Sequence, residues 1–539
     1  MLRKKLLAIA LLCAIPAIPL NSFAQGRGGG GGGQQPGQGR QQQQQQSQTQ
    51  SGDTSQRPAR PLIADEPPVV TQHEITVAGK SLKYTATTGY IPIKNPATLE
   101  NEAHMFYVAY TLDGAGPKEK RPVTFCFNGG PGSASVFVHM GAMGPKRVKM
   151  LPDGAMPPPP YELEDNQQTW LDQTDLVFID AIGTGYSRPD RPDLGAKFWG
   201  VRGDIAAFGE FVRVYISKNS RWNSPLFIAG ESYGTTRAAG MAGYLVDNGI
   251  AVNGVVLIST VLNFQTIRYG VGNDLPYILF LPTFTATAWY HHKLPADLQS
   301  SLKKATDEAR KFAETEYTVA LQKGDKMAAA ERSSVVDKLA RFTGLDRDYI
   351  EKSNLRIDQP HFGAELLRNE SRTAGRLDSR FKGYNASGVS ERMDFDPANT
   401  ALNPPYDQTF NAYVRNELGF KSDLDYVLSG QVGRWDYGVD QGYADTSQML
   451  RSAFAKNPYL KLHVVCGYFD LATPFFGAEY TINHMGIDPS LKKNVTFSYY
   501  EAGHMVYIDQ KAHATLKKEV TNFIQDSMEH NVEEHALRP

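Results

Sequence analysis

Cysteine is what this 539-residue chain has least of: three residues, at positions 13, 126 and 466. That excludes a disulfide-stapled scaffold, and a chain this long can rest on its own core instead. Cys126 and Cys466 sit at the ends of the apolar runs 123–127 and 462–466, so they read as buried thiols acting as small hydrophobes rather than as a disulfide. An excess of one charge is missing too. With 56 basic and 57 acidic residues the formal balance is −1, and it becomes −4 once residues 1–24 go, taking Arg3, Lys4 and Lys5 and no acid with them. Neither value suits a nucleic-acid partner or a polybasic membrane contact. The apolar run at residues 6–20 is broken by Pro16 and Pro19 and is too short to span a bilayer comfortably. Metal-ligand spacing is lacking as well: adjacent His291 and His292 point in different directions from a helix and have no further ligands at suitable spacing, so no metal is expected.

What is present begins with the basic start, the apolar run and Ser22-Phe23-Ala24, a small-x-small cleavage signal. Residues 1–24 therefore read as a signal peptide of an exported protein, periplasmic or secreted, with no membrane anchor once it is cleaved. Residues 25–69 are mostly Gly, Gln, Pro and Ser, including six glycines at 28–33 and six glutamines at 41–46, and can build no core. They read as a disordered linker. Residues 74–110 then alternate apolar and polar, as antiparallel strands do. After them come short apolar runs at 123–127, 176–179, 226–229, 255–258, 462–466 and 495–499, with helical stretches such as 204–217 and 447–455 between. That alternation predicts an α/β fold with a mostly parallel sheet, whose chemistry collects at the carboxyl ends of the strands. The interval 263–441 interrupts it with charged amphipathic helices between 296 and 350 and an aromatic stretch at 277–290 that lines either a cleft or a core. The expected organisation is a sheet core at 70–262 and 442–530 with a helical cap inserted at 263–441.

Residues 227–234, FIAGESYG, run a buried strand into G-x-S-x-G and a small-residue helix start. In that context the motif is a nucleophile elbow, with Ser232 exposed on a turn whose neighbours must be small. A serine needs a base, and the base an orienting carboxylate. Asp470 stands just past one later strand and His504 just past the next, giving the order Ser, Asp, His found in α/β-hydrolases. The Gly-rich end of the first sheet strand, Asn128-Gly129-Gly130-Pro131-Gly132, can point N–H groups at a developing oxyanion; Gly130 and Tyr233 are the expected donors.

Taken together, the segments NGGPG at 128–132, GTGYS at 183–187, GESYG at 230–234, the 467–470 strand end and GHMV at 503–506 resemble the serine carboxypeptidase family over most of residues 100–515. The resemblance implies an α/β-hydrolase that releases C-terminal residues from peptides through an acyl-enzyme, without a cofactor. It also implies that Asn128, Gly129 and Glu231 bind the substrate's free carboxylate. Two carboxylates repel unless one holds a proton, so Glu231 would have to be protonated to donate to it. Three departures fall in this subsite: Cys126 where the family usually has tryptophan, Ser133 where it often has cysteine, and Ala142 where a second acid normally sits. They bear on specificity and leave the triad residues in place. An esterase or acyltransferase with the same Ser-His-Asp set stays open as an alternative, and a non-catalytic envelope binding protein as a third reading.

Overall fold

Short strands whose side chains alternate between two apolar clusters set the architecture. The computed structural model describes residue 63 and residues 66–430, 432–438 and 442–529. The expected signal peptide, Cys13 and nearly all of the expected linker lie outside the described residues. The main sheet begins with β1 (Val69–Val77), β2 (Lys80–Lys94) and β3 (Asn101–Leu112), an antiparallel set matching the alternating region. β1 thus takes in Val69, the last residue assigned to the linker. Six longer strands follow, β4 (Val123–Phe127), β5 (Asp175–Ile179), β6 (Leu226–Glu231), β7 (Gly254–Ile258), β8 (Lys461–Gly467) and β9 (Val495–Tyr500), and a two-residue strand at Arg188–Pro189 pairs antiparallel with β3 off the main path. Their order across the sheet is β1-β2-β3-β5-β4-β6-β7-β8-β9, and every pairing from β5 onward is parallel. The fold is an α/β-hydrolase.

Along β4, Val123, Phe125 and Phe127 enter one buried cluster while Cys126 enters the other, as the two-residue period of a strand requires. Helices α1 (Val201–Lys218) and α2 (Tyr233–Asp247) cover the first face. The second is covered by α3 (Pro397–Asn416) and α4 (Gln510–Met528), which contribute Tyr406, Phe410, Leu516 and Phe523. Both late helices start on an aspartate whose side chain accepts a backbone N–H: Asp396 from Ala398 at 3.1 Å and Asp509 from Ala512 at 3.0 Å. Cys126 and Cys466 are free and buried.

Between β7 and β8 the chain makes a long helical excursion, yet the two strands pair directly, from Gly254↔Lys461 to Ile258↔Val465. The aromatic stretch forms a helix at Leu275–Tyr290 that is buried over most of its length, with Trp289 and Tyr290 reaching a cavity at its end. The amphipathic positions Leu298, Leu302, Ala305 and Ala309 are all buried. No helix among the described residues is long and apolar enough to cross a membrane.

Candidate active site

Ser232 stands between β6 and α2 with φ +60° and ψ −130°, a conformation an L-residue adopts only under constraint, at a cost of about 1–3 kcal/mol. The constraint is visible. Its N–H donates to the Ile258 carbonyl at 2.9 Å, and its carbonyl accepts from the Thr235 N–H at 2.8 Å and the Thr235 hydroxyl at 2.6 Å. The turn closes so tightly that a Cβ on Gly230 would lie 2.2 Å from the Gly234 carbonyl oxygen. Ser232 itself is half-buried between buried neighbours.

Asp470 and His504 follow the adjacent strands β8 and β9, and His504 Nδ1 lies 2.8 Å from Asp470 Oδ2. That oxygen also accepts from the Thr473 hydroxyl at 2.6 Å, while Oδ1 accepts the N–H groups of Ala472 and Thr473 at 2.8 and 3.0 Å. Asp470 is therefore an acceptor on every side, which fixes the proton of a neutral imidazole on Nδ1 and leaves Nε2 basic. Burial disfavours the charged imidazole, but the charge and hydrogen bond of Asp470, with a further contribution from Glu231, outweigh it and hold the His504 pKa above its ordinary value. Two consecutive residues at the end of β7 tie Ser232 and His504 together: Ile258 accepts the Ser232 N–H, and the Ser259 hydroxyl donates to the His504 carbonyl at 2.5 Å. From the excursion, the Leu377 carbonyl accepts the His504 N–H at 2.6 Å and the Asp378 carboxylate accepts the Gly503 N–H at 3.2 Å.

The glycine-rich loop lies directly against the elbow. A Cβ on Gly129 would sit 2.3 Å from the Gly234 nitrogen and 2.4 Å from that of Tyr233. Only glycine fits there, so Gly129→Ala is expected to lower kcat/KM by about 10²-fold or more by displacing the Tyr233 N–H, an expected oxyanion donor, and to lower the melting temperature. Steady-state kinetics and thermal unfolding of the variant check both. Asn128 donates from Nδ2 to Glu231 Oε1 at 3.0 Å and accepts the Val138 N–H at 3.0 Å, so its amide orientation is set from both ends. Glu231 is almost fully buried, and burial pushes its pKa up to about 7, against the opposing charge of His504 and the hydrogen bonds from Tyr507 and Asn128.

Several supports have no counterpart in the motifs. Arg237, fully buried on α2, donates to the Asn128 carbonyl at 2.7 Å and pairs with Asp204 of α1 at 2.8 and 3.1 Å. It binds loop, elbow helix and α1 into one unit; a lone arginine in a helix of small residues was the available signal. Thr473, Ser259 and Tyr507 carried none. The three departures are also placed. Cys126 is enclosed in the cluster on the second sheet face, and Ser133 closes the loop by donating its N–H to the Gly129 carbonyl at 3.0 Å. Ala142 lies in a one-turn π-helix (Val138–Met143), where its carbonyl accepts from His513 Nε2 at 2.8 Å and Asn166 Nδ2 at 3.0 Å. His291 donates to the Ser379 carbonyl at 2.7 Å.

Two cavities flank these elements. One of about 670 Å³, lined by Phe264, Arg268, Trp435 and Tyr437, lies beside Tyr233, whose ring centroid is 5.2 Å from that of Trp435. A larger one of about 840 Å³ lies beside Phe469 and Glu501, and none of Ser232, Asp470 and His504 lines it.

Compared with known families, residues 77–525 match the serine carboxypeptidases. This chain belongs to the serine carboxypeptidase family. Among curated relatives, the pheromone-processing carboxypeptidase KEX1 of Debaryomyces hansenii is 29% identical over 136 residues, 25% of this chain and 18% of that protein. Serine carboxypeptidase-like 36 of Arabidopsis thaliana is 27% identical over 150 residues, 27% of each. The matched stretches thus span well under a third of these relatives. The crystal structure of the prohormone-processing carboxypeptidase KEX1 from Saccharomyces cerevisiae superposes with a TM-score of 0.51 at 16% identity, covering 82% of this chain and 91% of that one, a likeness of fold.

Proposed function

We propose that this protein is a serine-type carboxypeptidase, releasing C-terminal amino acids from peptides through an acyl-enzyme. Ser232 attacks the carbonyl carbon of the last peptide bond while His504 Nε2 takes its proton. The Gly130 and Tyr233 N–H groups hold the oxyanion, and the imidazolium, stabilised by Asp470, returns the proton to the departing amine. Water then attacks the ester, with His504 again as base, and frees the serine. Asn128, Gly129 and protonated Glu231 bind the carboxylate of the residue that leaves. No step requires a cofactor. The helical interval 263–441 acts as a cap over the site, and the first 24 residues direct export to a periplasmic or extracellular space.

The observation that carries this reading is Glu231, a buried acid held by Asn128 one residue before the strained serine. Its pKa of about 7 makes it neutral, and able to donate, through the acidic range. The negative charge of ionised Glu231 also helps to raise the His504 pKa, so the two groups titrate as a coupled pair. The sign for catalysis follows. Preference for a free carboxylate is full below pH 7 and is lost as pH rises through it, because two carboxylates about 4 Å apart repel by about 4 kcal/mol at an effective dielectric of 20.

The test compares a blocked dipeptide with its amide from about pH 4 to 8. The expected result is a preference for the acid of about 10²-fold or more at the low end, falling towards parity above pH 7. Equal turnover across the range would rule out the carboxylate subsite. The esterase or acyltransferase reading, favoured by the missing acid at Ala142, would then replace it.

A further inference from the structure

The lack of an acid at position 142 raises a physical question: what orients Glu231 on the side away from Asn128? The second partner is a phenol. Tyr507, fully buried on the turn Val506–Ile508 just after His504, donates its hydroxyl to Glu231 Oε2. Its ring is packed by Gly141 and His513. A Cβ on Gly141 would lie 2.8 Å from Tyr507 Cε2 and 2.4 Å from the Tyr406 hydroxyl, so the backbone preceding Ala142 lies close against the Tyr507 ring and the Tyr406 hydroxyl. His513, anchored on the Ala142 carbonyl, meets the Tyr507 ring edge-on at 6.5 Å.

We propose that Tyr507 is the positioning residue of the carboxylate subsite and stands in for the missing second acid. The inference rests on the carboxypeptidase reading above. With Asn128 donating to Oε1 and Tyr507 to Oε2, both protein partners of Glu231 are donors. A proton on Glu231 is therefore shared with no other carboxylate and is directed to the substrate's terminal carboxylate. A paired acid would bring a second proton into the same pH range and titrate as a unit with Glu231. Tyr507 does not: burial, followed by the charge of Glu231, holds its own pKa well above the usual tyrosine value, so it stays a neutral donor. The other ionisable groups facing Glu231 are His504, Asp470 and Tyr406; behind Tyr507 lie His513 and the Arg147 guanidinium, 3.5 Å from its Nδ1. The subsite thus has one carboxyl whose proton is given to substrate.

The experiment is Tyr507→Phe in the full chain, with kcat and KM measured for the blocked dipeptide and its amide from pH 4 to 8. A fluorophosphonate labelling rate checks that the nucleophile is intact. The KM of the free acid is expected to rise about tenfold at pH 6, the loss of one hydrogen bond to a charged or polarised group. Its kcat, the amide and the labelling rate change less than about threefold. The donor to the carboxylate stabilises its ionised form, so its removal moves the pH of half-lost acid preference upward. Fluorotyrosine placed site-specifically at 507, a stronger donor of the same shape, moves that midpoint downward and guards against a folding defect in the phenylalanine variant. Equal losses on acid and amide with an unmoved midpoint, or no change, would overturn the role of Tyr507 while leaving the carboxypeptidase reading intact. A wild-type protein without acid preference at any pH would remove that reading and this inference with it.

Discussion

Ser232→Ala is expected to lower kcat on peptide substrates by about 10⁴–10⁶-fold, the usual consequence of losing the nucleophile of a Ser-His-Asp set. The structure makes this a clean experiment. The Ser232 side chain makes no capping hydrogen bond to α2, and the positive φ is imposed by the Ile258 and Thr235 contacts to its backbone, which alanine keeps. Stability should therefore stay close to that of the parent, within about 0.5 kcal/mol. Activity and thermal unfolding measured on the same preparation separate chemistry from folding, and fluorophosphonate labelling should disappear. Retention of more than about a tenth of the activity would mean that Ser232 is not the nucleophile.

Asp470→Asn is expected to cost about 10³–10⁴-fold in kcat through the tautomer of His504 rather than through lost contacts. Asp470 Oδ1 faces two backbone N–H groups and Oδ2 faces the Thr473 hydroxyl and the imidazole. An asparagine will turn its oxygen towards the two N–H groups, which cannot reorient. Its NH₂ then meets His504 Nδ1, donor against donor, and the ring proton moves to Nε2. Nε2 no longer has a lone pair for the serine proton. Nitrogen-15 NMR of the ring would report the proton on Nε2 in the variant, and a loss below about tenfold would show that Asp470 does not set the tautomer.

Much of the fold could be read from the chain because the parallel sheet strands are short apolar runs bounded by glycine and acidic turns. The run read at 255–258 is strand Gly254–Ile258, and the stretch read at 204–217 is helix Val201–Lys218. The places of Ser232, Asp470 and His504 at strand ends were legible for the same reason: each follows such a run within a few residues. What could not be read are the partners that come from distant sequence. Arg237 reaches Asn128 across 109 positions, and Tyr507 reaches Glu231 across 276. No local pattern encodes such pairs; they exist only once β4, β6 and β9 lie at their places in the sheet. Ala142 shows the converse. Its sequence marked a lost acid, but only packing reveals that Tyr406, Tyr507 and His513 crowd the surrounding space.

Residues 377–379 join what the sheet alone would leave separate. Ser379 donates its N–H to the Phe469 carbonyl at 3.0 Å, beside the acid, and Leu377 receives that of His504. The excursion that carries them is thus no detachable cassette. A chimera that imports this interval from a relative would import two of the brackets on which the imidazole is mounted, so transplanting the interval and keeping turnover are a single engineering problem rather than two.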